Sequence, residues 1–579
     1  MTFRVVVFRG RSCHLLADSN GELPIAAGNG KAKEEMEMST NTEAKPLVEA
    51  AGAVAAGGEM EENAMERTLS WKQVVFLALG APALVLFNMG GVSSVMGAAA
   101  PLAWTLSVII GVVQCAAYVE IAGMHPRKTG GISVYGATAW MWRSPSLGVI
   151  PPWSHWVAWI PILPIGVALA ASYLMGLFVP ADSVLATWQI TICDLSFIQD
   201  GLVMRINLRF AIAAALMLVI AIIQNGGASG SAKIQIIMSL CGIVPLLVIV
   251  VVPLVTGGFH VQNFNPFVPI NGAWDGVGLR FFFGAVLLAA WASYGSETAA
   301  CYMCEMKRPS DAPKAVFVSG GVAILLFILV PVVFQGCLGT DYMLRPEINS
   351  GEGVGAALAS MVSSNPVFCS VVVIMLVFTL MLGSMTAMGD TARTLYQGGK
   401  DGTLPKFFSH ANASGSPSAA IWFNFAVDLV LLMFSDYLFL LAITAMNYIL
   451  CHFFVLTGAW IHRMDNPDIE RPYKVSDNML TVCVMLAFFN MFLVGAGSNV
   501  WGSYVLPIGL VLSLVGVPLF WYRHYVVDKG EFPEGTWTDL IPKGLQEPPE
   551  VPCSIIPKVC ICLGVVFMLI GYVAFYVML

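Results

Sequence analysis

Charged residues are scarce in this chain. They make up 11% of its 579 residues, while 57% are hydrophobic, whereas a soluble domain carries about a quarter charged residues. Water therefore cannot be the solvent around most of the chain. The net charge of −7 is small for this length, and no basic run with interleaved aromatics occurs, so the composition gives no indication of a nucleic-acid partner.

The sequence also lacks the motifs of common enzyme classes. It has neither a Gly-rich phosphate-binding loop ending in Lys nor a G-x-S-x-G nucleophile motif. Its histidines, including His155 and His452, are isolated from one another in sequence, and its 13 cysteines show no dense disulfide spacing. Cys301 and Cys304 form a C-x-x-C, but no second pair lies nearby to complete a four-ligand zinc site. We therefore expect no enzymatic activity, no catalytic residue, no cofactor and no metal site.

What the chain does contain is a series of apolar runs, each long enough to cross a bilayer at about 20 helical residues per span. They predict an all-α polytopic membrane protein with about 12 to 13 transmembrane spans. Residues 1–70 are rich in Gly, Ala, Glu and Ser and predict a disordered tail. The runs lie near 71–97, 101–123, 150–178, 210–224, 234–255, 277–303, 315–336, 367–389, 419–434, 437–462, 479–495, 502–522 and 555–579.

Lysine and arginine sort between alternate connections, as the positive-inside rule predicts. One set of connections includes Arg127, Lys128, Lys307 and Arg393 and holds most of these residues, while the other holds only Arg205, Arg209, Arg280 and Arg345. We expect the N-terminus to be cytoplasmic and the protein to be an integral protein of the plasma membrane.

The first ten spans divide into two halves with matching irregularities. We predict a first five-helix repeat at 71–255, a second at 277–462, accessory spans at 478–522 and an additional span at 555–579. Span one contains Gly and Ser within 87–94, and span six contains them within 291–297. Paired Gly-interrupted helices in two repeats are typical of a transporter site at the bilayer midplane. The alternative is that these small residues only let helices pack closely.

Broken helices suit a zwitterionic substrate, because their ends expose backbone N–H groups to a carboxylate and C=O groups to an amine. We predict that Gly90, Gly91 and Ser93 bind the carboxylate. The carbonyls of Ala290, Ala292 and Ser293 would face the amine. The full set of candidate substrate-binding residues is Asn88, Gly90, Gly91, Ser93, Ala290, Trp291, Ala292, Ser293 and Gly295.

Three segments resemble the amino acid, polyamine and organocation transporter superfamily, in its amino acid permease branch. They are 120–135, with Glu120, Pro126 and the pair Gly130 and Gly131; 291–315, from Trp291 through Pro309; and 390–417. The resemblance implies a leucine-transporter-like fold of inverted five-helix repeats with accessory helices. It also implies that the indole of Trp291 covers the substrate.

Glu297 follows the irregular stretch of span six and matches an acidic position of the family motif. An ionisable group inside a membrane span is a candidate functional group. We therefore predict that Glu297 couples transport to protons, with substrate exchange as the alternative. Glu120, near the end of span two, is expected to be solvated.

The function predicted is secondary transport of amino acids or related amines by alternating access, between broken helices one and six. Two alternatives stay open. One is a nutrient-sensing receptor with a transporter fold, and the other is a γ-aminobutyrate, choline or polyamine permease. The sequence at 87–96 resembles the γ-aminobutyrate and choline permease branch. A channel is less consistent, because no ring of like charge is present.

Overall fold

A computed structural model describes residues 67–180, 182–540 and 555–578. The predicted tail at 1–70 therefore lies almost wholly outside the described residues. Within them, 11 helical segments are long and apolar enough to cross a membrane. The all-α polytopic membrane fold is thus confirmed.

The helices follow one another with few other elements. Two short strands, β1 (Gln189–Asp194) and β2 (Val203–Asn207), form an antiparallel hairpin. The α-helices are α1 (Trp71–Ala78), α2 (Val85–Met96), α3 (Ala100–Met124), α4 (Gly131–Met141), α5 (Pro145–Gly148), α6 (Ile150–Trp159), α7 (Ile162–Phe178), α8 (Val184–Thr187), α9 (Leu208–Asn225), α10 (Ala228–Thr256), α11 (Gly276–Ser293), α12 (Ala312–Leu338), α13 (Thr340–Met343), α14 (Pro346–Asn349), α15 (Val354–Val362), α16 (Pro366–Lys400), α17 (Ser418–Leu431), α18 (Tyr437–Asp465), α19 (Asp477–Gly497), α20 (Val505–Leu514), α21 (Gly516–Trp521) and α22 (Ile556–Tyr576).

The helices agree with the predicted spans in position. The first apolar segment, Trp71–Met124, has 54 residues, which at 1.5 Å per residue is about 80 Å and exceeds one bilayer crossing of about 30 Å. A 3₁₀ turn at Gly97–Ala99 divides it, and Gly97 adopts a φ of +51° there. The apolar helix α17 is shorter than a full span. The number of crossings therefore stays a prediction.

Polar caps set where several helices begin. Ser70 and Gln73 form a capping box at the start of α1, and the side chain of Asn365 accepts from two backbone N–H groups at the start of α16. Asp436 does the same for α18. Each cap satisfies backbone donors that a helix leaves free at its N-terminus.

The two ends of the helical body differ, and we name them by their residues. The basic face carries Lys128, Arg393 and Arg463, which are ion-paired with residues of other elements. The hairpin face carries β1, β2 and the segment α13–α15. Arg209, in the first turn of α9 after β2, pairs with Glu352 of that segment. The sequence analysis did not predict the hairpin, although its Val, Ile and Thr residues favour strands.

Candidate functional site

The first span is interrupted, but not where the sequence predicts. Helix α2 runs without a break through 87–94, and the irregular stretch lies at 79–84, where a turn leads into the 3₁₀ segment Ala81–Leu84. The prediction of a break at 87–94 is therefore wrong. Pro82 explains the true position, because proline has no N–H to donate and clashes with the preceding turn, whereas glycine in a buried helix keeps its hydrogen bonds.

The glycines of α2 allow close packing instead. A Cβ added to Gly90 would lie 1.9 Å from the carbonyl oxygen of Ile348 in α14, and one added to Gly91 would lie 2.8 Å from Leu438. The backbone of α14 can approach α2 only because residue 90 has no side chain. At these two positions the contacts show that small residues allow close packing, which is the alternative given above.

The second interruption lies close to its predicted place. Helix α11 stays regular through Ser293, and the chain then continues as a 3₁₀ stretch, Tyr294–Glu305, whose residues are all buried. Side chains of other segments reach its carbonyls: Tyr135 of α4 donates to Ala300 at 2.9 Å, and Thr129, in the connection before α4, donates to Cys301 at 2.9 Å. These bonds support backbone groups that the tighter helix leaves poorly satisfied.

The two interruptions meet in the core of the protein. A Cβ added to Gly295 would lie 2.9 Å from the Cβ of Ala81 and 3.4 Å from the Trp159 ring. The hydroxyl of Thr386 in α16 donates to the carbonyl of Leu77 at 2.9 Å, just before the first interruption. One irregular segment from each predicted repeat therefore packs directly against the other.

The other predicted site residues are buried at or near this junction. Asn88 donates to the carbonyl of Leu288 at 2.7 Å, and the indole N–H of Trp291 donates to the carbonyl of Ala158 at 3.1 Å. Ser293 is fully buried, and its hydroxyl has no hydrogen-bond partner among the described residues. Ala290 and Ala292 are also fully buried. Ser93 lies in the last turn of α2, away from the first interruption along the chain.

Glu297 is 0% exposed, and it accepts a hydrogen bond of 2.7 Å from the Tyr448 hydroxyl in α18. Its second oxygen has no partner among the described residues. A buried carboxylate with one unused oxygen needs a proton or a cation to offset the lost hydration. Glu297 therefore lies beside the junction, and its role in coupling stays a prediction.

A second polar pair lies next to Glu297. The Nε2 atom of His155 in α6 lies 2.5 Å from the Oδ2 atom of Asp390 in α16, and both side chains are 0% exposed. The His155 ring stacks on Trp159, with ring centroids 5.8 Å apart and an interplanar angle of 25°. Tyr448, which donates to Glu297, has its ring centroid 5.9 Å from that of His155.

Sequence reasoning missed this pair. His155 looked isolated because its partner lies 235 residues away, and Asp390 was noted only as part of a family motif. The available signal was that both residues are ionisable, with His155 inside the apolar run 150–178 and Asp390 directly after the run 367–389. Pairing across helices cannot be deduced from spacing in one sequence.

Buried ion pairs close the basic face. Arg393 binds both oxygens of Glu305, at 2.5 and 3.1 Å, and Lys128 lies 2.5 Å from Asp401. Glu120 is 2% exposed and pairs with Arg463 at 2.5 Å and with Arg471 at 3.1 Å. The expectation that Glu120 is solvated is therefore wrong, because the loop after α18 folds back over it.

Interrupted helices that meet at a buried carboxylate, within a bundle of apolar spans, define the class of polytopic membrane proteins with discontinuous helices. Comparison with known families is more specific. The sequence pattern of the amino acid permease family matches residues 69–515. The chain belongs to this family, whose members are transporters and not enzymes. Helix α22 lies beyond the matched residues.

Individual relatives are distant but cover much of the chain. It is 23% identical to the branched-chain amino acid permease BcaP of Lactococcus lactis, over 69% of this chain and 83% of that protein. It is 23% identical to the human cystine/glutamate transporter, over 60% of this chain and 66% of that protein. A putative arginine/ornithine antiporter of Bacillus subtilis is also 23% identical, over 58% and 69% respectively.

Proposed function

We propose that this protein is a secondary transporter that moves amino acids or related amines by alternating access, with its substrate site between the two interrupted helices. The direct packing of Gly295 against Ala81 is the observation that supports this site. Membership of the amino acid permease family supports the substrate class. The relatives differ in their named substrates, so the particular amino acid is left to experiment.

We move the proposed carboxylate site from Gly90 and Gly91 to the first interruption. Gly90 and Gly91 pack against other elements, so we assign the substrate carboxylate to the segment 80–84 and the start of α2, which has no side-chain cap. The amine would bind at the end of α11, beside the carbonyls of Ala290, Ala292 and Ser293. The partial charges of these two helix ends match the two charges of a zwitterion.

Trp291 and Glu297 would have separate roles. The Trp291 indole lies next to Phe87, with ring centroids 6.4 Å apart, and would cover the aliphatic part of the substrate. Glu297 would take up a proton when the site changes its access, because its charged form is costly in a dry core. Whether transport is coupled to protons or exchanges substrates would then depend on which cation offsets the charge of Glu297.

Counterflow of radiolabelled leucine, glutamate and arginine into proteoliposomes tests this function. Proteoliposomes with the wild-type protein, loaded with the unlabelled amino acid, should accumulate at least one of the three labelled amino acids. Gly295→Val should abolish the flux, because the added side chain fills the space between the two interruptions. Flux at the wild-type level in Gly295→Val would reject this site, and binding without flux would favour the receptor alternative.

Gly321→Ala is the matched control. A Cβ at residue 321 meets no heavy atom within 4 Å, so this variant should keep the wild-type flux. Thermal unfolding in detergent would show whether Gly295→Val is still folded. A stable variant without flux supports the site.

Orientation is tested with a native cysteine. Cys193 lies exposed in β1 on the hairpin face, so an impermeant maleimide should label it in intact cells, and Cys193→Ser should remove that label. A cysteine placed at Lys314, whose side chain is 62% exposed, should react only after permeabilisation. The reverse pattern would show that the N-terminus is not cytoplasmic.

A further inference from the structure

Three buried polar side chains beside the junction have atoms without partners. Among the described residues, Glu297 Oε2, His155 Nδ1 and Asp390 Oδ1 have no nitrogen or oxygen partner, although the thiols of Cys451 and Cys301 lie beside His155 and Asp390. All three side chains are 0% exposed, and they come from the 3₁₀ stretch, α6 and α16. Unpaired buried polar atoms are rare because each loses its hydration, so this group indicates a site for an exchangeable proton.

The short contact fixes one proton. At 2.5 Å between His155 Nε2 and Asp390 Oδ2, a hydrogen must lie between the two atoms, because two lone pairs would repel. If the imidazole is charged, the pair is neutral overall. Adding an ionised Glu297 then leaves one negative charge in a dry core, which a single additional proton would cancel.

The groups around this cluster are weaker acids or are already paired. Cys451 lies beside the His155 ring, and Cys301 lies beside Asp390. Tyr118 and Cys115 of α3 face Glu297, and His452 of α18 packs edge-on against Tyr448. Arg393, three residues after Asp390 in α16, is held by both oxygens of Glu305. Within the described residues, His155, Asp390 and Glu297 are therefore the groups that can share a proton.

We propose that His155 and Asp390 form a second proton-binding unit that exchanges a proton with Glu297. In this step an N–H bond of the His155 imidazolium breaks and an O–H bond forms on Glu297. His155 is left neutral and hydrogen-bonded to Asp390, and the reverse step restores the imidazolium. The proposal rests on the coupling role proposed for Glu297, and it makes His155 and Asp390 positioning residues for that carboxylate.

Such a unit explains why three helices converge on a few side chains. A movement of the 3₁₀ stretch relative to α6 and α16 would change the contact between Glu297 and the pair, and so would change which group holds the proton. The proton could then stay inside the protein while access changes from one face to the other.

Infrared difference spectroscopy of the full-length protein in nanodiscs tests the proposal without requiring transport. A carboxyl group shows a distinct C=O stretching band only when it is protonated. The band that is missing from the spectrum of Glu297→Gln belongs to Glu297. The pH at which half of this band has formed is the midpoint of Glu297 protonation. In His155→Gln that midpoint should move by about one pH unit or more, since a neighbouring opposite charge changes a carboxyl equilibrium by about that amount.

His452→Gln is the matched control. It removes a buried histidine from the same aromatic cluster, one that bonds to the carbonyl of Tyr448 and not to Asp390. Its Glu297 midpoint should stay at the wild-type value. An unchanged midpoint in His155→Gln, or an equal change in both variants, would overturn the proposal.

Two further readouts keep the test decisive. If His155→Gln does not fold, the Glu297 midpoint is measured in Asp390→Asn, which changes the other member of the pair. In the wild-type protein, imidazole bands should change at the same pH as the Glu297 band, and an independent imidazole midpoint would count against sharing. Counterflow is measured separately, so coupled midpoints without any flux would reject transport while keeping the proton unit.

Discussion

The two faces of the helical body are held together by different interactions. On the basic face, the pairs Arg393–Glu305 and Lys128–Asp401 have side chains no more than 6% exposed. On the hairpin face, the Arg209–Glu352 pair has side chains 14% and 41% exposed. There the backbone makes further contacts, such as that from the N–H of Arg205 to the carbonyl of Met433 at 2.8 Å.

This difference predicts unequal barriers to opening. Removing one partner of a buried ion pair leaves an uncompensated charge and costs about 3 to 5 kcal/mol, whereas an exposed pair contributes about 0 to 1 kcal/mol. The proposed alternating access requires both faces to open in turn. We therefore expect mutations of the buried pairs to shift the conformational equilibrium most.

The largest effect is expected for Glu305→Gln. This change leaves Arg393 buried beside the ring of Tyr302, 4.5 Å from its centroid, without its carboxylate partner. We expect the closed basic face to lose about 3 to 5 kcal/mol of stability. Native Cys304 is buried one residue before Glu305, so its rate of maleimide labelling should rise, and Cys304→Ser is the control for that signal.

A double mutant separates lost pairing from lost packing. In Glu305→Gln combined with Arg393→Met, no charge remains to be buried, so most of the loss should be recovered. Thermal unfolding and Cys304 labelling should both return toward wild-type values. A double mutant as open as the single one would show that the ion pair does not hold this face closed.

Much of the fold could be predicted from the sequence because membrane spans are a direct consequence of composition. A long apolar run has to form a helix, since no water is present to bind its backbone groups. The predicted run at 437–462 corresponds to Tyr437–Asp465, and the one at 210–224 to Leu208–Asn225. The β1–β2 hairpin lies between spans, where this constraint does not act.

The site was less predictable because it depends on contacts between distant segments. The sequence indicated an irregular sixth span correctly, but it placed the first interruption at Gly90 and Gly91 instead of beside Pro82. The role of those glycines is decided by what packs against them, which one sequence does not contain. The same applies to His155 and Asp390, which become a pair only when α6 packs against α16.

A smaller effect is expected where the packing of α2 is altered. Gly90→Ala places a Cβ 1.9 Å from the carbonyl oxygen of Ile348, and a backbone atom cannot move aside easily. We expect a loss of about 1 to 3 kcal/mol in unfolding free energy. Gly91→Ala meets the flexible end of Leu438 at 2.8 Å and should cost less. Equal melting temperatures for the two variants would contradict the contact with α14.

A pH-dependent effect of about tenfold is expected at the segment Glu534–Leu540, which docks on the basic face through Arg127 and Asp539. Burial raises the pKa of Asp539 to about 6 from its usual 3.8. Docking of the segment is therefore strongest below pH 3.8, where Asp539 is protonated in both the docked and the undocked state. It weakens as the pH rises through about 6, because the docked Asp539 then loses its proton. Between pH 7 and pH 5 the docking equilibrium should strengthen by roughly tenfold.

Hydrogen exchange of this segment, corrected for the intrinsic dependence on pH, measures the docking. Protection should increase as pH falls in the wild-type protein. Asp539→Asn carries no titrating group at this position, so its protection should be high at both pH values. A wild-type protection that falls with acidification would contradict the assigned direction.

The smallest effect is expected for Arg209→Gln, which breaks the ion pair of the hairpin face. Both side chains are partly exposed, so water replaces much of the lost interaction, and the change should stay within about 1 kcal/mol. Raising the salt concentration should reduce even this difference, because exposed charges are screened within about 10 Å at 0.1 M, whereas the effect of Glu305→Gln should persist. Thermal unfolding at low and high salt compares the two variants directly. If Arg209→Gln proved as damaging as Glu305→Gln at both salt concentrations, the two faces would be held equally tightly, and burial would not be what distinguishes them.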